Sequence, residues 1–210
     1  MTQRSPGWTQ AEAARRAGVR DERVLAALAA VPRDRFVPPA AHADADSDRP
    51  LRIGEGQTTS QPSLVAGMLE ALELTGSERV LEVGAGSGYQ ATILSHLAAE
   101  VVTIERHASL AGEARQNLDA CGRSNVEVVV GDGTRGAPGA GPFDAVIVAA
   151  ASASVPRALV EQLRNGGRLV APIGGPGTQR VVVHERDGGT LRVVAELSAV
   201  RFVPLVPDAG

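Results

Sequence analysis

Residues 80–88 read VLEVGAGSG: an apolar run suited to a buried strand, then glycine at every second position, with Tyr89 opening a helix. A strand that passes through a glycine-rich turn into a helix is the first unit of a ligand-binding α/β sheet. Glycine permits both the tight turn and the close approach of backbone to ligand. The spacing is G-x-G-x-G, and Tyr89 stands where the dinucleotide fingerprint requires a further glycine. Glu82, Gly84, Ala85, Gly86, Ser87 and Gly88 are therefore candidate ligand contacts. The bland alternative is a glycine-rich connection that holds nothing.

The flanking pattern is regular. Strands are expected over 79–83, 101–105, 126–130, 143–149 and 168–172, with helices over 63–74, 89–98, 107–120 and 156–163 between them. Alternation at this spacing implies a mostly parallel, doubly wound sheet, with the ligand crevice at the strands' carboxyl ends. Residues 179–185 and 191–205 read as two further strands around the Gly188-Gly189 turn, an antiparallel hairpin. Upstream, 9–17 and 21–30 read as short helices separated by Gly18, with Asp21 a plausible N-cap. The segment 43–50 (ADADSDRP) reads as a loop. The expected organisation is one domain over 1–210, with N-terminal helices and a substrate loop to 75, a ligand-binding core over 76–178 and the hairpin over 179–210.

Composition is that of a globular chain: 210 residues, 43% hydrophobic and only 2% aromatic, so the core rests on Val, Leu, Ile and Ala. A net charge of −3 offers no footprint for nucleic acid. A single cysteine, Cys121, excludes an internal disulfide framework, and the scattered histidines (His42, His96, His107, His184) form no metal-ligand pair. No apolar stretch follows Arg4, and the longest apolar run, 145–151, is too short to span a membrane. A cytoplasmic monomer is the expectation.

Two more elements extend the ligand site. Glu105 closes the second strand, about 20 residues beyond the glycine turn, where an acidic side chain accepts from ribose hydroxyls. Arg106 follows it. Asp132-Gly133 follows the third strand, where Asp132 either accepts from an adenine amino group or merely makes an Asp-Gly turn. Together these suggest a nucleoside-bearing ligand, and their spacing favours S-adenosylmethionine over NAD. Residues 53–62 (IGEGQTTSQP) form a hydroxyl-rich loop leading into a helix. The N–H groups of that helix end suit a carboxylate, although Ser60 or Thr59 acting as a simple cap explains the same residues.

Several segments are similar to protein-L-isoaspartate O-methyltransferases: VPRDRFVPP (31–39), IGEGQTTSQP (53–62), VLEVGAGSGYQATIL (80–94), IER (104–106), GDG (131–133), PFDAVIV (142–148) and VRFVPLV (200–206). The resemblance covers nearly the whole chain. It implies a Rossmann-like class I methyltransferase fold with S-adenosylmethionine as cofactor. The implied substrate is the free α-carboxylate of L-isoaspartyl residues, and more weakly of D-aspartyl residues, in damaged proteins and peptides. The ester then closes to a succinimide that opens partly to normal aspartate. Ser60 matches the active-site serine, and Thr59 and Gln61 match its substrate loop. Gly84, Gly86, Glu105 and Asp132 match cofactor contacts. Val200, Arg201, Phe202 and Val203 lie in a strand, 200–206, that matches the edge receiving the substrate backbone.

Three positions depart from the family pattern. Glu55 adds a negative charge beside the substrate loop, 133–141 lacks a bulky aromatic, and Ala149 stands where threonine is frequent. Rival readings are a methyltransferase for normal aspartate in one dedicated peptide, a non-catalytic nucleoside-binding module and an NAD-dependent oxidoreductase. Tyr89 and the terminal hairpin argue against the last. A carboxylate acceptor is already ionised at neutral pH, so the expected reaction needs no general base, and Ser60 orients rather than attacks.

Overall fold

The computed structural model describes residues 9–207; the stretch around Arg4, read above for a signal peptide, lies outside them. Two short helices lead. In α1 (Gln10–Arg16) Thr9 and Glu12 close a reciprocal capping box. In α2 (Glu22–Ala30) the Asp21 carboxylate accepts from the Arg23 and Val24 amides, as the sequence suggested. Its apolar stripe (Val24, Leu25, Leu28) is buried. A 3₁₀ turn over Arg33–Phe36 follows, then a second over Pro39–Asp44 in part of the expected loop. The two-residue strands β1 (Leu51–Arg52) and β2 (Thr58–Thr59) pair antiparallel and place residues 53–57 at a hairpin tip.

Helix α3 spans Pro62–Glu70, shorter than the periodicity implied. Glu73 takes a left-handed φ of 54°, which ends the helix, while Leu72 and Leu74 still bury themselves from the turn. Apolar spacing reported burial here rather than helix. The remaining helices are α4 (Tyr89–Leu94), α5 (Ala108–Ala120) and α6 (Arg157–Gln162).

The main sheet has strands β3 (Arg79–Val83), β4 (Glu100–Glu105), β5 (Val126–Val130), β6 (Phe143–Val148), β7 (Leu163–Ile173), β8 (Gln179–Asp187) and β9 (Thr190–Val200), in the order β5-β4-β3-β6-β7-β8-β9. Strands β5 to β7 run parallel across the sheet, and β8 and β9 are added antiparallel, as expected. Strand β7 begins five residues before the expected 168, because a bulge in its pairing with β6 lets Leu163 face Phe143. The order reverses at β3, with β4 on one side and β6 on the other, so the crevice opens at the carboxyl end of β3.

One expectation needs correction. The strand expected to run on through 201–206 stops short: β9 ends at Val200, and Pro204 has no N–H to continue a ladder. The chain instead turns in over the strand ends. The Ala151 amide donates to the Val203 carbonyl at 2.8 Å, and the Leu205 amide donates to the Ala151 carbonyl at 2.7 Å.

Candidate active site

The glycine turn is built as its spacing requires. Gly84, Gly86 and Gly88 have φ of 96°, 54° and 92°, values costly for any residue with a Cβ. A Cβ on Gly88 would lie 3.2 Å from Ala114 Cα, so this glycine also lets α4 pack on α5. Glu105 is buried and braces the turn: its Oε2 accepts from the Gly86 amide at 2.9 Å and its Oε1 from the His107 amide at 3.0 Å. A carboxylate has about four lone-pair sites, so capacity for two ligand hydroxyls remains.

Glu82 is fully buried beneath the turn. One oxygen accepts from Thr103 Oγ1 on the neighbouring strand; the other, Oε1, has no partner. Burial pushes its pKa up to about 7, against a lowering by the Thr103 and Gln90 side chains. The Gln90 amide faces this carboxyl without closing a hydrogen bond, since Gln90 Nε2 is also buried and unpartnered. The unpartnered Gln90 amide, which lines a cavity beside glycines in left-handed conformations, fits a ligand that brings its own polar groups, whereas Glu82 lines neither cavity at the turn.

Two small cavities, each about 60 Å³, flank this turn. The first is lined by Gly84–Ser87, Gln90 and Glu105, and the second by Glu105, Arg106, Gly133 and 204–206. Gln57, at the β1–β2 tip, lines both. The tip is therefore a wall common to both cavities. The tip is tethered: Ser109 Oγ donates to Glu55 Oε1 at 2.5 Å, and His107 Nδ1 stands 3.8 Å from Glu55 Oε2. The charge of Glu55, expected to disturb the substrate loop, is thus directed at the start of α5.

On the other side of Ser60 lies a groove of about 970 Å³ along α3 and the end of β9. Its wall includes Leu64, Met68, Leu197, Val200, Arg201 and Phe202. Thr58, Ser60 and Ala149 line both this groove and the glycine-turn cavity, which makes them the junction of the two. Neither Ser60 nor Thr59 caps α3: its N-cap is Gln61, without a side-chain bond. The helix end is held by Asp48, whose carboxylate accepts from the Ser63 amide at 2.9 Å and from Ser63 Oγ at 2.7 Å. The anion site expected at this helix end is therefore filled from within, and the Ser60 hydroxyl is left free at the junction.

Gln61 lines the groove, while Thr59 is buried and faces the cavity instead. Val203 is engaged through its carbonyl with Ala151. Ala85 lines the cavity, and Ser87, also there, donates to the Phe36 carbonyl at 2.7 Å. Arg106 Nη1 donates to the Val206 carbonyl at 3.2 Å. Asp132 uses Oδ1 to accept from the Thr134 amide and hydroxyl, which is the turn-making alternative. At Gly133 an added Cβ would meet Val83 Cγ1 at 2.5 Å.

Sequence reasoning missed Arg33, Asp48, Gln57 and Gln90. Arg33 is buried, and its guanidinium donates to the carbonyls of Ala45, Ser47, Arg49, Thr59 and Ser60. Desolvation lowers its pKa, but an arginine remains charged. No local pattern distinguishes a buried arginine from a solvated one.

A mostly parallel sheet reversing at β3, a glycine turn braced by an acidic residue from β4 and a closing antiparallel pair define a Rossmann-like S-adenosylmethionine-dependent methyltransferase. The family model described as protein-L-isoaspartate(D-aspartate) O-methyltransferase matches residues 10–210. The chain belongs to that family. It is 54% identical to the protein-L-isoaspartate O-methyltransferase of Methanoregula boonei, over 92% of this chain and 88% of the relative. It is 53% identical to that of Azorhizobium caulinodans, over 91% and 88%. A solved protein-L-isoaspartate O-methyltransferase superposes with a TM-score of 0.85 at 29% identity, over 96% of this chain and 66% of that longer one. A Plasmodium falciparum structure in complex with S-adenosyl-L-homocysteine shares the fold, with a TM-score of 0.81 at 23% identity over 95% of this chain and 97% of that one.

Proposed function

We infer that the protein transfers a methyl group from S-adenosylmethionine to isoaspartyl carboxylates of proteins and peptides, the activity named for its family and for the relatives it matches. The observation that carries the assignment of roles is the junction: Ser60 presents a free hydroxyl where the groove meets the glycine-turn cavity. The groove admits an extended peptide, and the cavity side carries Gly84, Gly86 and Glu105 for the cofactor. The bound cofactor supplies an electrophilic methyl group on a cationic sulfur.

The chain's own residues bind, orient and exclude water. The acceptor carboxylate is ionised at neutral pH, since its reference pKa is about 4. No base is needed, and the groove offers none: its carboxylate Glu70 is engaged by the Arg20 and Asp21 amides, both at 2.6 Å. Ser60 donates one hydrogen bond to the acceptor and fixes its direction. Arg201, on the groove wall, supplies a positive field without reaching into the turn. Alignment is the dominant contribution, worth roughly 7–11 kcal/mol in favourable cases. Glu105 and the turn amides hold the donor side, with Glu82 supporting the turn from beneath; Asp132 and Gly133 close its far end. The weaker D-aspartyl activity and the succinimide that follows esterification belong to the same reading, as do a single methyltransferase unit and a monomer. Among the described residues no helix is long and apolar enough to cross a membrane.

The test is methyl transfer with native protein and Ser60→Ala on an isoaspartyl peptide. Turnover falls in the variant while affinity for S-adenosylhomocysteine persists. A collapse of that affinity gives Ser60 a structural role only.

A further inference from the structure

We propose that Arg33 is a positioning residue that fixes the Ser60 loop against the glycine-rich turn and so sets the separation of acceptor carboxylate and methyl donor. The proposal rests on the reading of Ser60 as the group that holds the acceptor.

The turn Arg33–Phe36 lies between the two loops and touches both. Toward the acceptor side, Arg33 Nη2 donates to the Ser60 carbonyl at 2.9 Å and to the Thr59 carbonyl at 3.4 Å. The same guanidinium gathers the preceding loop through the carbonyls of Ser47 (3.0 Å), Arg49 (2.9 Å) and Ala45 (3.3 Å). That loop carries Asp48, which holds the start of α3 through Ser63. Toward the donor side, the Phe36 carbonyl accepts from Ser87 Oγ at 2.7 Å, inside the glycine turn. The Phe36 ring meets Tyr89 edge-on at 5.5 Å, and the Arg33 guanidinium lies 5.7 Å from the Tyr89 ring centroid. One four-residue turn therefore ties the loop that carries Ser60 to the glycine-rich turn.

The chemistry of the tie favours a positioning role. Arg33 is 1% exposed, and its partners are all neutral carbonyls. Its Nε is buried without a partner. No carboxylate among the described residues pairs with it directly, and Asp48 acts on it only at a distance; a buried charge held mainly by carbonyls is an expensive way to join two loops, and proteins break such local rules at functional sites. A planar guanidinium reaches several carbonyls at fixed angles; a lysine ammonium is a point charge with three donors and cannot span the same set. Rigid separation is what an in-line transfer needs, because a misplacement of about 1 Å costs on the order of 100-fold in rate.

The experiment uses the full chain with R33K and R33A. R33K is expected to fold, to bind S-adenosylhomocysteine within about twofold of native and to lose about 100-fold in kcat with little change in KM for an isoaspartyl peptide. Methylguanidinium is expected to restore a saturable part of the R33A rate and to leave the native rate unchanged. A native kcat in R33K overturns the proposal. So does a loss that lies wholly in cofactor affinity or in the folded fraction, the signature of a merely structural tie. Folded R33A that methylguanidinium does not rescue also overturns it; should R33A not fold, R33K alone decides. Ser60→Ala run alongside separates the two readings. Intact turnover there removes the Ser60 role, whereas impaired Ser60→Ala with native R33K removes the Arg33 role alone.

Discussion

Glu105→Gln puts the donor half of the site under quantitative test. The two carboxylate oxygens each accept one backbone amide, from Gly86 and from His107. Glutamine offers one oxygen and one amino group, so one of these part-buried N–H groups loses its acceptor. An unsatisfied buried donor costs about 1–3 kcal/mol. For a chain of this size each kcal/mol lowers the thermal midpoint by roughly 2–4 °C. Cofactor binding suffers separately, because a hydrogen bond to a charged acceptor contributes about 1.5–3 kcal/mol. Loss of one ribose bond of that kind raises Kd roughly 10- to 150-fold. Calorimetric titration with S-adenosylhomocysteine, paired with thermal unfolding of the free protein, reads both numbers. A lowered midpoint with Kd within about twofold of native would mean that Glu105 only braces the turn, and the ribose assignment fails.

Further outcomes follow from single residues. Glu82 has its pKa raised from 4.5 to about 7 by burial, so it favours the folded state most below pH 4.5, and this contribution is lost as pH rises to about 7. The loss is about 3 kcal/mol. Cofactor-free Glu82→Gln should therefore gain midpoint over native at pH 8 but not at pH 4, and an equal offset at both would refute the buried-acid reading. Gly133→Ala forces a Cβ against Val83 Cγ1 and should cost about 1–3 kcal/mol in urea unfolding; an unchanged midpoint means the strand end yields freely. Glu55→Ala frees the hairpin tip from Ser109 and His107 and should speed both binding and release of S-adenosylhomocysteine in stopped-flow or surface-binding kinetics, by a few-fold for a half-exposed contact. Unchanged rates would mean that the tip opens without breaking this tether.

The parallel core was legible because its signals are local: β-branched runs, glycines at turn positions and an acidic residue at the end of a strand. Strand β3 and the positions of Gly84 and Glu105 follow from those signals alone. What escaped the sequence depends on partners far along the chain. Arg33 reaches carbonyls up to 27 positions away, and Asp48 caps a helix that begins 14 residues later. A polar residue's burial is decided by the backbone that folds over it, which no local pattern records. The segment after Val200 misread for a related reason. Its alternating apolar residues resemble a strand, yet Pro204 and the bonds to Ala151 carry it across the strand ends. The α3 region shows the converse: Leu72 keeps helical spacing outside the helix because the core takes it from a turn.

The most direct measurement is methyl transfer from labelled S-adenosylmethionine to two short peptides that differ only in bearing L-isoaspartate or normal L-aspartate. Base-labile label on the isoaspartyl peptide alone is the predicted result. Label on the normal aspartyl peptide instead, or on neither while S-adenosylhomocysteine still binds, contradicts the account.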